Sequence, residues 1–204
     1  MPLPGVNQFS LLNTLRKVVG STESVTVFSL KDTLLKDDVV VMPGVGHFSS
    51  AAAFLEETQM KTKLVEFIRA GGRFIGICLG MQLLFSESDE GSGEGLGIFS
   101  EKILRLPENL KTPHVGWNQI HLENSDLDLR RFDGLDFYFV HSFAVPVATA
   151  GGHVPSYCLS TTEHGDFQFV SAVELGNTVG FQFHPEKSGR LGVELLDEIL
   201  KRWR

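Results

Sequence analysis

Cys78 stands in the stretch Gly76-Ile77-Cys78-Leu79-Gly80-Met81-Gln82, directly after the apolar run Arg73-Phe74-Ile75 and before Leu83-Leu84-Phe85. The first run reads as a short buried strand and the last as part of a helix. A cysteine between two glycines at such a junction is the thiol form of a nucleophile elbow. The spacing has a steric reason. The elbow holds its nucleophile in a tight, strained turn, and side chains two residues before and two after would crowd it; Gly76 and Gly80 have none. The chemistry this predicts is attack by sulfur on an electrophilic carbon.

A nucleophile needs a base, and Gly180-Phe181-Gln182-Phe183-His184-Pro185-Glu186-Lys187-Ser188 offers one. Phe181 and Phe183 alternate with Gln182 and His184, as on a strand with one apolar face. His184 falls at the strand end, where the loops of α/β folds carry chemistry. Glu186 is two residues on, close enough to accept a bond from the imidazole and set its tautomer, leaving the other ring nitrogen for Cys78. His141, at the end of another expected strand, has no carboxylate so near in sequence, which makes His184 the preferred base.

The elements that must position these groups follow from periodicity. Residues 8–19 read as a helix closed by Gly20, with Phe9, Leu12, Leu15, Val18 and Val19 on one side. Residues 25–28 read as a strand. Val39-Val40-Val41-Met42 reads as a buried strand, because parallel strands covered on both faces are solid apolar runs; Pro43-Gly44-Val45-Gly46 follows it and can turn backbone N–H groups into a pocket. A single helix is expected over 50–70, ended by Gly71-Gly72. Residues 86–97, acidic and glycine-rich, read as an exposed loop. Strands are expected over 98–106 and the segment after it, with breaks at Pro107 and Pro113, and over 135–140, and three more in a meander over 150–183. A last helix covers 191–203. Only four residues precede Gly5, and two are proline, too little for a buried parallel strand; the first strand is therefore expected to be a stub or to lie upstream of the assigned start.

Composition bounds the function. The 204 residues suit one α/β domain, with 42% apolar and 21% charged residues. A formal charge of −7 argues against a nucleic-acid surface. No apolar run reaches membrane-spanning length, and no basic-then-apolar leader opens the chain. Two cysteines, Cys78 and Cys158, lie far apart and form no Cys-x-x-Cys motif, and the seven histidines show no zinc spacing. Free thiols fit a reducing compartment such as the cytoplasm. Cys158, among apolar neighbours with no base in view, reads as structural.

The elbow and the His-Pro-Glu segment together resemble those of the class I (triad) glutamine amidotransferases, and within them the glutaminase subunits of imidazole glycerol phosphate synthases. Met42-Pro43-Gly44-Val45-Gly46-His47-Phe48, Pro113-His114-Val115-Gly116-Trp117-Asn118 and Tyr138-Phe139-Val140-His141-Ser142-Phe143 support the resemblance, which runs from about Gly5 to the end. It implies an α/β fold with a mostly parallel open sheet flanked by helices, in a single domain over residues 1–204. It implies a triad of Cys78, His184 and Glu186, an oxyanion hole from the Val45–Gly46 loop and the Leu79 N–H, and glutamine contacts from Gln82, Glu94, His141 and Ser142. Trp117 and Asn118 would lie toward a partner.

The activity implied is hydrolysis of L-glutamine through a cysteine thioester, without metal or cofactor. The ammonia would pass to a cyclase subunit built as a (β/α)8 barrel, to form imidazole glycerol phosphate and an aminoimidazole carboxamide ribonucleotide in histidine biosynthesis. A paralogue feeding another synthase, as in surface-sugar amidination, is the alternative. Two positions depart from the resemblance: Phe143 stands where tyrosine is frequent, and Phe181 where a small polar residue is common. The second predicts a narrower pocket beside His184.

Overall fold

The computed structural model describes residues 9–20, 23–123, 129–147 and 154–204; the expected first strand and the Gly5-Val6-Asn7 loop lie outside them. Among the described residues, six strands form the central sheet. Its parallel half pairs β1 (Val39–Gly44) with β2 (Arg73–Cys78), and β2 with β11 (Thr178–Phe181). Its antiparallel half continues from β11 through β10 (Phe167–Leu175) and β9 (Cys158–His164) to β6 (His121–Leu122). The sheet is thus mixed rather than mostly parallel. The reason is connectivity: β9, β10 and β11 are joined by short turns at Gly165 and Gly176, both at positive φ, and tight turns can join only antiparallel neighbours.

Alternation along each strand separates two apolar layers. On one side Val40, Met42 and Phe74 pack with α2 (Phe48–Glu57) and α3 (Met60–Arg69). On the other, Ile75, Ile77, Val179 and Phe181 pack with α1 (Phe9–Val19) and α5 (Gly189–Arg202). This alternation is the period-2 geometry of strands covered on both faces. Phe181 therefore fills the core beside Phe183, ring centroids 5.0 Å apart, and does not narrow the pocket.

Several elements differ from expectation. Residues 50–70 form two helices, because Gln59 takes a left-handed turn at φ 58°. A straight helix of about 3.6 residues per turn would carry Met60 far round from Leu55; the turn returns both to one core, where each is fully buried. Residues 25–28 are not a strand, since no described neighbour pairs with them. The elbow helix, α4 (Leu79–Gln82), lasts one turn, and Phe85 opens β3 (Phe85–Ser88), which pairs with β4 (Phe99–Arg105). Part of the stretch 86–97 is accordingly ordered strand rather than open loop. Beside the main sheet, β5 (His114–Gln119) and β7 (Asp136–His141) form an antiparallel ribbon, and β8 (Phe143–Ala144) joins β4.

Candidate active site

The elbow is built by close approach of backbones. A methyl group on Gly80 would lie 1.8 Å from the Met42 carbonyl oxygen, and one on Gly76 would lie 2.6 Å from that of Gly80. Neither distance is tolerable, so both positions require glycine, and α4 can seat itself against β1 and β2. Cys78, at the tip, has φ 54° and ψ −109°. A non-glycine residue at positive φ away from the left-handed helical well is strained, and strain of this kind collects at functional sites. The side chain is 7% exposed and opens into a cavity of about 230 Å³.

His184 lies just beyond the end of β11, after Gln182 and Phe183. Its Nδ1–H donates to Glu186 Oε1 at 2.7 Å, which fixes the tautomer with Nε2 free. Pro185–Lys187 make a single 3-10 turn that folds Glu186 back onto the ring. The loop is pinned to β7: the His184 N–H donates to the Tyr138 carbonyl at 2.8 Å. The Ser188 hydroxyl accepts from the Tyr138 N–H at 3.0 Å and donates to the His184 carbonyl at 2.7 Å. Ser188 is a positioning residue that the sequence reading passed over.

The ring itself is 2% exposed. Burial disfavours its charged form, but the Cys78 sulfur and the Glu186 carboxylate outweigh burial and raise its pKa to about 9. Nε2 is buried without a bond of ordinary geometry, yet the sulfur is close enough to act on the charge of the ring. A histidine that holds its proton beside a sulfur nucleophile is suited to protonate a leaving group.

The cavity is lined by Val45, Gly46, Cys78, Leu79, Gln82, Glu90, Val140, His141, Ser142 and Phe143, with Pro113 at one side. The glycine-rich loop after β1 and the start of α4 therefore both face the sulfur's pocket. Glu94 does not. Its side chain is 79% exposed and pairs with Lys61 at 3.1 Å. The acidic residue on the cavity is Glu90, four positions earlier, 14% exposed and accepting from the Phe48 N–H at 2.8 Å. Reading 86–97 as a uniform loop hid this difference, because only the β3–β4 pairing and the bridge between Ser88 and Gly91 aim Glu90 inward.

At the cavity wall, His141 is hydrogen-bonded to a second buried histidine, His114. His141 Nδ1–H donates to the Phe143 carbonyl at 3.0 Å, so its Nε2 must accept, and His114 Nδ1–H donates to it at 3.0 Å. His114 Nε2 in turn accepts from Asn118 Nδ2 at 3.2 Å. Both rings are neutral. Burial lowers the pKa of His114 to about 4, with His164 stacked on it adding to the effect, and lowers that of His141 to about 3. His141 thus supports the wall and has no free nitrogen for proton transfer. Asn118 is bonded inward through this pair, whereas its neighbours Val115 and Trp117 are 53% and 57% exposed. Cys158 is fully buried, donates to the Ser160 carbonyl at 3.3 Å and has its thiol pKa pushed up to about 12 by burial, which leaves it inert.

Comparison with known proteins bears on the family. The model of the glutamine amidotransferase class-I family matches residues 7–202. The chain is 45% identical over 167 residues to the imidazole glycerol phosphate synthase subunit HisH of Pyrococcus furiosus, covering 79% of this chain and 80% of that protein. It is 36% identical over 193 residues to the corresponding subunit of Cyanidioschyzon merolae, covering 92% and 90%. Among solved structures, PurLQS from Thermotoga maritima is similar in fold, with a TM-score of 0.68 at 18% identity over 100% of this chain and 96% of that one. The glutaminase domain of Trypanosoma brucei CTPS with bound acivicin gives 0.59 at 14% identity, over 97% and 89%. An elbow cysteine facing a carboxylate-held histidine, in a fold shared with amidotransferases and a sequence matched by their family model almost from end to end, places this chain in the class-I glutamine amidotransferases.

Proposed function

We propose that the chain is the glutaminase subunit of an imidazole glycerol phosphate synthase, acting as a single domain with a (β/α)8-barrel cyclase as its partner. The carrying observation is Cys78 on a strained elbow that opens into one small cavity, with His184 beside its sulfur and Glu186 bonded to the ring behind, in a chain whose similar relatives are HisH subunits. The relatives favour this reading over a sugar-pathway paralogue.

The chemistry follows from the lining. The Cys78 thiolate attacks the carboxamide carbon of L-glutamine, and the carbonyl π electrons move onto oxygen. N–H groups of Leu79 and of the Val45–Gly46 loop stabilise that oxyanion; one such donor is typically worth about 3–4 kcal/mol. The His184 imidazolium gives its Nε2 proton to the departing nitrogen, which leaves as ammonia, while Glu186 holds the ring. Neutral His184 then takes a proton from water, which hydrolyses the thioester and releases glutamate. Glu90 faces the substrate's ammonium, Gln82 its carboxamide, and the His141–Ser142 backbone its carboxylate.

The exposed Trp117 and Val115 on β5 are the surface offered to the cyclase. A reaction mixture of this protein, the cyclase subunit, glutamine and the formimino ribonucleotide should yield imidazole glycerol phosphate and the aminoimidazole carboxamide ribonucleotide. Glutamine turnover should be weak for the chain alone and rise with the loaded cyclase, because a partner that binds the competent loop conformation shifts its population. Product formation that needs added ammonium salts even with wild-type protein and glutamine would refute the assignment.

A further inference from the structure

The side-chain amides of Gln82 and Gln182 form a chain whose direction is set by one backbone carbonyl. Gln82 Nε2 lies 3.0 Å from the Phe143 carbonyl oxygen. A carbonyl only accepts, so the amide atom facing it must be nitrogen. The same nitrogen lies 3.1 Å from Gln182 Oε1. Its two hydrogens are thereby engaged, and the Gln182 atom it meets must be oxygen. The remaining end of the Gln182 amide is then nitrogen, and it points at Cys78 Sγ, 3.8 Å away, a distance proper to an N–H···S bond.

Gln182 is 1% exposed and Gln82 is 5% exposed, so water does not compete for these bonds. Gln182 and His184 both lie in the segment that follows β11, and the two side chains meet the sulfur from that segment. The titratable groups around the sulfur are His184 with Glu186 behind it, and His141 and Glu90 on the cavity wall. His141 is neutral, so Gln182 and His184 are the donors available to a sulfur anion among these side chains.

We propose that Gln182 is a further catalytic residue, an oriented amide N–H that donates to the Cys78 thiolate. The Phe143 carbonyl and Gln82 exist in this arrangement to prevent the amide from turning its oxygen to the sulfur. With that flip blocked, an amide N–H and not an amide oxygen faces the sulfur, and the bond is released as sulfur becomes thioester. The inference rests on Cys78 being the nucleophile, as proposed above.

The test is the pH dependence of iodoacetamide alkylation at Cys78, measured by mass spectrometry on the full-length chain, beside kcat and KM for glutamine with the loaded cyclase. Gln182→Met keeps the volume and removes both bonds. Gln182→Glu keeps an acceptor for Gln82 and removes the N–H. Each should move the alkylation midpoint upward, by about one pH unit for methionine, the size expected for losing a hydrogen bond to a charged group. Glutamate should move it further, and kcat should fall about tenfold or more in both while KM changes little. Gln82→Met, which frees the Gln182 amide to turn, should move the midpoint in the same direction by less, and it provides the reading if a Gln182 variant does not fold. Unchanged midpoints in the folded variants would overturn the role of Gln182 while leaving Cys78 in place. If Cys78→Ala retains wild-type glutamine turnover, the nucleophile assignment falls, and this proposal with it.

Discussion

His184 and His141 are buried to nearly the same degree, 2% and 6% exposed, and their proton affinities move in opposite directions. One rises to about 9 and the other falls to about 3. Burial acts the same way on both, against charge. The difference is what each ring nitrogen meets. His184 faces a carboxylate and a sulfur, groups that carry or can take negative charge. His141 faces a carbonyl and a second histidine, whose own proton is already donated to it. The lesson is that depth does not make a catalytic histidine: an anion at hydrogen-bonding distance does. The neutral pair sits in the cavity wall, and His184 holds its proton beside the sulfur.

The comparison can be broken most severely at its catalytic side. Cys78→Ala should lower glutamine hydrolysis by the loaded complex on the order of 10⁵-fold and change thermal stability little, since removing a nucleophile abolishes the covalent route; turnover with supplied ammonia should persist. Glu186→Gln removes the anion that distinguishes His184. Hydrolysis should drop roughly 10²–10⁴-fold, as for other triads that lose their orienting carboxylate, and the His184 titration, followed by NMR, should move down from about 9.

The two acidic candidates give a smaller, sharper contrast. Glu90→Gln should raise KM for glutamine by roughly 10–100-fold, the loss of one charge-assisted contact, with kcat less affected. Glu94→Gln should leave both constants unchanged, because its exposed carboxylate meets Lys61 and not the cavity.

The smallest effect lies in the pH dependence of stability. His184 binds its proton more tightly folded than unfolded, so its contribution is fully present below about 6.5 and is lost as pH rises through about 9. His114 and His141 run the other way. Their neutral forms stabilise the fold above about 6.5, and that stabilisation is lost as pH falls toward about 4 and then 3. At pH 5 a histidine held neutral costs ~2 kcal/mol relative to pH 7. In His141→Asn, which keeps a donor for the Phe143 carbonyl, the drop in urea midpoint between pH 7 and pH 5 should shrink by a corresponding amount, whatever the variant's stability at pH 7. An unchanged drop would show that His141 is not the neutral partner described above.

Much of this molecule was legible in its residues because the controlling physics is local. The elbow needs glycine at 76 and 80 within a single strand-to-turn junction. Glu186 reaches His184 within one 3-10 turn. The apolar runs at 39–42 and from Phe74 onward read as strands covered on both sides. The helix break at Gln59 and the failure of 25–28 to pair were not legible, since each depends on what lies opposite. The same holds for the site. Glu90 and Glu94 sit in one acidic tract, and only the pairing of β3 with β4 aims the first at the cavity. Gln182 reads as the polar half of a strand until Gln82, 100 residues away in the chain, fixes the direction of its amide. The neutrality of His141 arises from His114, 27 residues earlier. Residue types and short spacings determined which atoms could react. Which way a buried amide points, which carboxylate lines the cavity and which histidine keeps its proton were decided by tertiary contacts, because hydrogen-bond direction and burial are properties of neighbours that sequence distance does not supply.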